Sequence, residues 1–184
     1  MPSNVDEVLR AIEKKAWRGY YPIIGPEKGK ILADMIHKIR PKRLLEVGTL
    51  VGYSAITMAK ELESDAEIIT IEIDEDEAEL AKENIRQAEV QPSIRVLVGD
   101  ALDIIPKLDG LFDMVFIDAD KSEYFHYLRL IEGNLHTGST VVADNTNIST
   151  SSMQKYLDYV RNSGKYESPS MRVHRGDMEV SVKL

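Results

Sequence analysis

The chain has 184 residues, with 23 Lys or Arg against 31 Asp or Glu, a net charge of -8 and no cysteine. That length fits one domain able to bury about two thirds or more of its unfolded surface. The lack of cysteine excludes disulfides, thiolate nucleophiles and zinc–thiolate sites, and the acidic balance argues against a dedicated DNA-binding domain.

The opening MPSNVDEVLRAIEKKAW lacks the apolar stretch of a secretion signal, and nowhere is there a run of ~20 apolar residues to span a membrane. A cytoplasmic protein without a membrane partner is expected. Residues 1–43 carry ten Lys or Arg against five Asp or Glu, whereas the remainder carries thirteen against twenty-six. This asymmetry reads either as ordinary surface variation or as a basic approach for an anionic substrate. Val5, Val8, Leu9 and Ile12 recur at helical spacing, and a second helix is predicted from about Glu27 to Ile39, after the Gly25-Pro26 turn. Between these helices, Trp17 and Tyr20-Tyr21-Pro22 either wall an aromatic acceptor or pack the N-terminal helices onto the sheet.

Short runs rich in branched residues then alternate with helical patterns. The runs are Leu44–Val47, Ile68–Ile73, Ile94–Val98, Met114–Ile117 and Thr140–Ala143; the helices are Ser54–Leu62, Glu75–Ala88, Ala101–Leu108 and Ser122–Leu135. Such alternation predicts βαβ units with right-handed crossovers, an α/β fold on a mostly parallel sheet. A last helix around Met153–Val160 leads to strands at Tyr166–Val173 and Met178–Lys183, joined across Arg175-Gly176-Asp177 as an antiparallel edge. No repeat or linker interrupts the chain, so residues 1–184 are expected to form a single domain, with helices at about 3–40 packing on it.

Ligands of open α/β sheets bind beyond the carboxyl ends of the strands. The five runs end in Glu46, Glu72, Asp100, Asp118 and Asp144. Helix capping accounts for some of these acids, but Glu46 and Glu72 are flanked by apolar strand residues. The loop Glu46-Val-Gly48-Thr-Leu-Val-Gly52-Tyr-Ser54 is glycine-rich without the GxGxxG spacing of a dinucleotide site. Glycine here permits close approach of a ligand to backbone at a helix N-terminus. For a sulfonium cofactor, Ser54 would donate to the amino-acid carboxylate and Glu72 would accept from both ribose hydroxyls. An NAD site would use an acid at the same place, so Glu72 alone does not choose between them.

Two segments are richest in chemistry: Phe112-Asp-Met-Val-Phe-Ile-Asp118-Ala-Asp120-Lys121 and Val141-Val-Ala-Asp144-Asn145. Asp118, Asp144 and Asn145 supply three oxygen ligands from neighbouring strand ends, a set that suits Mg²⁺, while Mn²⁺ or Ca²⁺ accept the same atoms. An Asp-Asn pair also serves as a helix cap. Lys121 is either a solvated surface lysine or, beside a divalent cation that encourages it to release its proton, a general base toward a hydroxyl.

The stretches LLEVGTLVGYSA, IITIEID, VLVGDALDIIPKL, FDMVFIDADKSEYFHYL and TVVADN resemble the cation-dependent O-methyltransferase family, which includes catechol and caffeoyl-CoA O-methyltransferases. They run in the family's order from Leu44 to Asn145. The resemblance implies a seven-stranded Rossmann-like fold that binds S-adenosylmethionine, often as a homodimer. It implies metal ligation by Asp118, Asp144 and Asn145, and Lys121 as catalytic base. Cofactor contacts are implied at Ile24, Glu46, Gly48, Ser54, Glu72, Asp100, Ala101 and Asp118. The polar stretch after Asn145 lacks the Trp- and Gly-containing insertion of many caffeoyl-CoA relatives. The late carboxylate of catechol-type enzymes has no clear counterpart in Tyr166–Val173. The expected acceptor is a small hydroxylated, catechol-like or aromatic molecule. A hydroxylated tRNA base is the alternative within the family; a non-catalytic S-adenosylmethionine-binding protein and a nicotinamide oxidoreductase lie outside it.

Overall fold

The computed structural model describes residues 4–19, 21–171 and 176–184, and of 170 and 171 the backbone alone. Predictions that fall on Tyr20, Val173 and Arg175 lie outside the described residues. The chain divides into two compact units, one made of residues 1–42 and 49–99 and the other of 43–48 and 100–184.

The first unit begins with helices α1 (Asn4–Trp17) and α2 (Gly25–Ile39). It continues with α3 (Tyr53–Ala59), β2 (Glu67–Glu72), α4 (Glu75–Ala88) and β3 (Ser93–Val98). Helix α1 buries Val8 and Ile12, the stripe that the spacing predicts. The Tyr53 hydroxyl donates to Glu13 at 2.6 Å and Lys60 reaches Asp6 at 2.8 Å, which ties α1 to α3. Asp74 caps α4 by accepting from the Glu77 amide at 3.0 Å, and Glu75, Asp76 and Glu77 in the first turn complement the helix dipole. Strand β2 is buried along nearly its whole length and pairs in parallel with β3. By contrast, β3 alternates exposed and half-buried positions and carries Arg95, a charge suited to a sheet edge.

The second unit contains β1 (Arg43–Val47), α5 (Ala101–Ile104), β4 (Phe112–Ile117), α6 (Tyr124–Ile131), β5 (Leu135–Ala143), α7 (Ser151–Asn162), β6 (Tyr166–Glu167), β7 (Ser170–Met171) and β8 (Met178–Lys183). Its strands lie in the order β1-β4-β5-β8, with β6 and β7 both paired to β8. The β1–β4 and β4–β5 pairs are parallel, and β8 runs antiparallel to β5. Counting β6 and β7 as one interrupted strand, the seven predicted strands are present, mostly parallel with an antiparallel C-terminal end. Leu44, Leu45, Met114, Val115, Phe116, Ile117, Val141 and Val142 are all buried, as expected of strands covered on both faces. Each such side chain contributes roughly 1.5–3 kcal/mol relative to exposure.

Several boundaries differ from the sequence prediction: the helices expected to end at Leu62, Leu108 and Leu135 end at Ala59, Ile104 and Ile131, and three further differences follow local features. Helix α6 starts at Tyr124 and not Ser122, because Asp120 takes both the Ser122 amide and hydroxyl at 2.8 Å in a turn. Strand β5 begins at Leu135, well before Thr140, and passes through Gly138 at φ 92. The predicted strand at Tyr166–Val173 breaks at Pro169, which has no amide to give the ladder. Among the described residues no helix is long and apolar enough to cross a membrane.

Candidate functional site

In the second unit, parallel pairing sets the chemistry side by side. Ile117 of β4 stands opposite Ala143 of β5, so the next residues, Asp118 and Asp144, leave adjacent strand ends together. The ladder continues one step beyond the strands: the Asp144 amide donates to Ile117 O at 3.0 Å, and the Asp118 amide to Val47 O of β1 at 2.9 Å. Asp144 is 1% exposed and Glu46, on β1 opposite Phe116, is 0% exposed. Burying carboxylates is costly without strong partners, and such sites are built for cations or donors. Asn145 follows with φ 54, a left-handed conformation that asparagine tolerates better than most side chains.

Lys121 is held inside this cluster. Its Nζ donates to Asp118 Oδ1 at 2.7 Å and to Ala119 O at 3.0 Å, and lies 5.1 Å from the centre of the Tyr124 ring. With its side chain 18% exposed, Lys121 is not the solvated surface lysine of the alternative reading. The Thr150 hydroxyl caps α7 by accepting from the Met153 amide and donates to Lys121 O at 3.0 Å. Thus the start of α7 fixes the backbone that carries the lysine.

Gly48 explains why the β1 turn can lie so close. Its φ is +100, and a Cβ built there would come within 2.1 Å of Asp118 O. Gly176 is similarly tight, its hypothetical Cβ 2.3 Å from Asn145 Oδ1, while Asp177 O accepts both the Thr146 amide and hydroxyl at 2.9 and 3.1 Å. Asp100 caps α5, accepting from the Leu102 amide at 2.8 Å, and Ala101 is buried beside it. Nearby, burial and then the charges of Asp120, Asp100 and Glu123 push the Tyr127 phenol up to about 12.

The donor set fits a hard divalent cation: two carboxylates and one carboxamide, all oxygen, with further positions open to water or acceptor. Among the described residues no group of three His, Cys, Asp or Glu forms a metal cluster.

In the first unit, Glu72 ends β2 with its carboxylate already organised by backbone. Oε2 accepts from the Leu50 amide at 2.7 Å, and Oε1 accepts from Ile73 and Asp74 at 2.9 and 3.1 Å. A carboxylate offers about four acceptor positions, and among the described residues these three amides use Oε1 twice and Oε2 once. The backbone thus fixes the orientation of the carboxylate at the end of β2. Glu77 is held above the usual carboxylate range by burial and then by the charges of Glu72 and Asp74, a negative surrounding that suits hydroxyls and disfavours phosphate. Thr49 and Thr70 join hydroxyls at 2.5 Å beneath the loop. Ser54 is the second residue of α3 and 7% exposed, and Ile24, 8% exposed, immediately precedes α2. Trp17 is 90% exposed, so the packing role weighed for it is not realised.

Sequence reasoning missed Tyr124, Thr150 and the Gly176-Asp177 brace. Tyr124 sits three residues after Lys121, at the start of α6, a place that reads as ordinary core; the other two had no local signal beyond turn-forming residue types.

The sequence profile of the O-methyltransferase family matches residues 2–161. A catechol O-methyltransferase of Niastella koreensis is 38% identical over 145 residues, 76% of this chain and 66% of that protein. Catechol O-methyltransferase B of Danio rerio is 35% identical over 158 residues, 82% of this chain and 59% of that protein. The chain thus spans 59–66% of the length of these curated relatives. The crystal structure of an O-methyltransferase from Bacillus cereus in complex with SAH superposes with a TM-score of 0.85 at 25% identity, covering 100% of this chain and 92% of that one.

Proposed function

The chain belongs to the O-methyltransferase family, and from that premise we propose that it moves the methyl group of S-adenosylmethionine to a hydroxyl oxygen of a small catechol-like or aromatic acceptor, in the presence of a divalent cation. Asp118, Asp144 and Asn145 would hold the cation, Mg²⁺ by donor type. When bound it would lower the pKa of an acceptor hydroxyl. Ile24, Glu46, Gly48, Ser54, Glu72, Asp100, Ala101 and Asp118 are proposed as cofactor contacts. The observation that carries this reading is the emergence of Asp118 and Asp144 from paired strand ends with Lys121 Nζ 2.7 Å from Asp118.

The chain's own part is to bind, to align and to move one proton. Lys121 accepts the proton of the acceptor hydroxyl while the oxygen bonds to the methyl carbon and the carbon–sulfur bond breaks. The products are the methyl ether and S-adenosylhomocysteine. Alignment of two bound reactants supplies up to ~7–11 kcal/mol of the barrier. Asp118 contributes twice, as metal ligand and as the partner that aims Lys121.

Calorimetric titration with Mg²⁺ and with S-adenosylmethionine tests the assignment. Asp144→Ala is expected to lose metal binding and keep cofactor binding, and Asp118→Ala to impair both. Unchanged metal affinity in both variants would refute it. The tRNA reading is favoured by one observation: Trp17 is 90% exposed among the exposed Arg10, Lys14, Lys15 and Arg18 of the first unit. Steep salt dependence of tRNA binding would support that acceptor over a small molecule.

A further inference from the structure

Tyr124 opens α6 and is 0% exposed, in a unit whose reactive carboxylates stand at the ends of β4 and β5. Its hydroxyl lies 3.1 Å from Ile117 O and 3.1 Å from Asp144 O. Those two carbonyls belong to different strands: one is the residue before Asp118, the other is Asp144 itself. A single phenol therefore bridges the chain at both proposed carboxylate ligands. The ring is fixed on its other sides, edge-on to Tyr156 at 6.0 Å and 84°, and beneath the Lys121 ammonium at 5.1 Å.

We propose that Tyr124 is a positioning residue, a strap across the ends of β4 and β5 that sets the spacing of Asp118 and Asp144 toward a divalent cation. The inference rests on the metal-dependent reading above. Just beyond the strands the ladder contributes the bond from the Asp144 amide to Ile117 O, and the phenol adds a second tie to the same carbonyl. The next residue, Asn145, turns away at φ 54, so strand pairing cannot hold the ends any further out. Groups that orient ligands in this way typically change metal affinity 10–100-fold when removed.

Tyr124→Phe removes the hydroxyl and keeps the ring, its contact with Tyr156 and its face toward Lys121. Tyr156→Phe is the matched control, deleting a buried phenol oxygen one ring away with no bond to either strand end. Free Mn²⁺ is counted by electron paramagnetic resonance during titration of the wild-type chain and both variants, each checked as folded by its melting transition. The expected result is Mn²⁺ affinity about tenfold weaker in Tyr124→Phe and near wild type in Tyr156→Phe. A loss of packing alone would lower both melting temperatures without moving the Mn²⁺ affinity. Wild-type affinity in folded Tyr124→Phe overturns this inference and leaves the metal reading standing. A wild-type chain that takes up no Mn²⁺ overturns the metal reading, and this inference with it.

Discussion

Gly48→Ala puts a methyl group where the structure has no room. A Cβ at residue 48 would lie 2.1 Å from Asp118 O, 2.8 Å from Asp118 C and 3.3 Å from Ala119 Cβ, whereas real Cβ atoms essentially never approach closer than 3.0 Å. The obstacle is backbone, so the turn after β1 and the Asp118 peptide must part by about 0.9 Å, the gap between 2.1 and 3.0 Å. That movement stretches the bond from the Asp118 amide to Val47 O, worth about 1 kcal/mol. Holding alanine at φ +100 adds roughly 1–2 kcal/mol. A destabilisation of about 2–3 kcal/mol is expected in urea unfolding. Because Asp118 moves with its peptide, catalysis should fall further than stability implies. Misplacement by about 1 Å costs on the order of 100-fold in rate. Steady-state methyl transfer, measured where the variant is fully folded, reads this directly. Stability within about 0.5 kcal/mol of wild type together with activity within about twofold would refute the argument that Gly48 is required by contact with Asp118.

Lys121→Met should lower turnover by about 10²–10⁴-fold with cofactor affinity within about twofold; full turnover across the pH range would remove Lys121 from the mechanism. Glu179 is fully buried and gripped by Arg161 at 2.7 Å on both oxygens, with Ser168 at 2.9 Å. Arg161→Met therefore strands a buried carboxylate and should cost about 3 kcal/mol in urea unfolding, the low end of the range because the Arg161 side chain is 42% exposed. Adding Glu179→Leu should restore most of that loss, and no recovery would contradict the cause. His136 directs Nδ1 to Thr137 O at 2.8 Å and Nε2 to Asp113 Oδ1 at 2.9 Å, contacts that raise its pKa above 6.5. The charged form is favoured by folding, so this stabilisation is complete below about pH 6.5 and fades as pH rises through the raised folded value. Urea unfolding at pH 5.5 and 8.5 should show that decline in the wild type and less of it in His136→Gln; equal slopes would contradict it.

The buried strands were legible because their burial is two-sided. Met114–Ile117 and Val141–Ala143 are continuous apolar runs, and the acid that follows each, Asp118 or Asp144, marks the carboxyl end of the strand. Asp118 and Asp144 could be paired on paper for that reason. Their support could not. Tyr124 lies in KSEYFHYL, where aromatic residues at helical spacing read as ordinary core, and its role depends on a hydroxyl reaching two carbonyls seven and twenty residues away. Local chemistry also misdirected two boundaries. The polar HTGS of β5 resembles a loop and sits where the β4–β5 register shifts, between the Phe112–Leu135 and Met114–Thr140 pairs, and Asp120 delays α6 by capping Ser122. Glu72 stands at a strand end that the apolar run marks, but the three amides it accepts from belong to a loop geometry that spacing does not encode.

The decisive experiment is transfer of labelled methyl from S-adenosylmethionine to a panel of catechols and to bulk tRNA, with Mg²⁺ and with EDTA. Labelling of a hydroxylated acceptor that depends on Mg²⁺ and disappears with EDTA is the predicted result, and the acceptor labelled separates a small-molecule enzyme from a tRNA enzyme. Transfer that proceeds equally in EDTA would contradict metal binding by Asp118, Asp144 and Asn145 as part of the reaction.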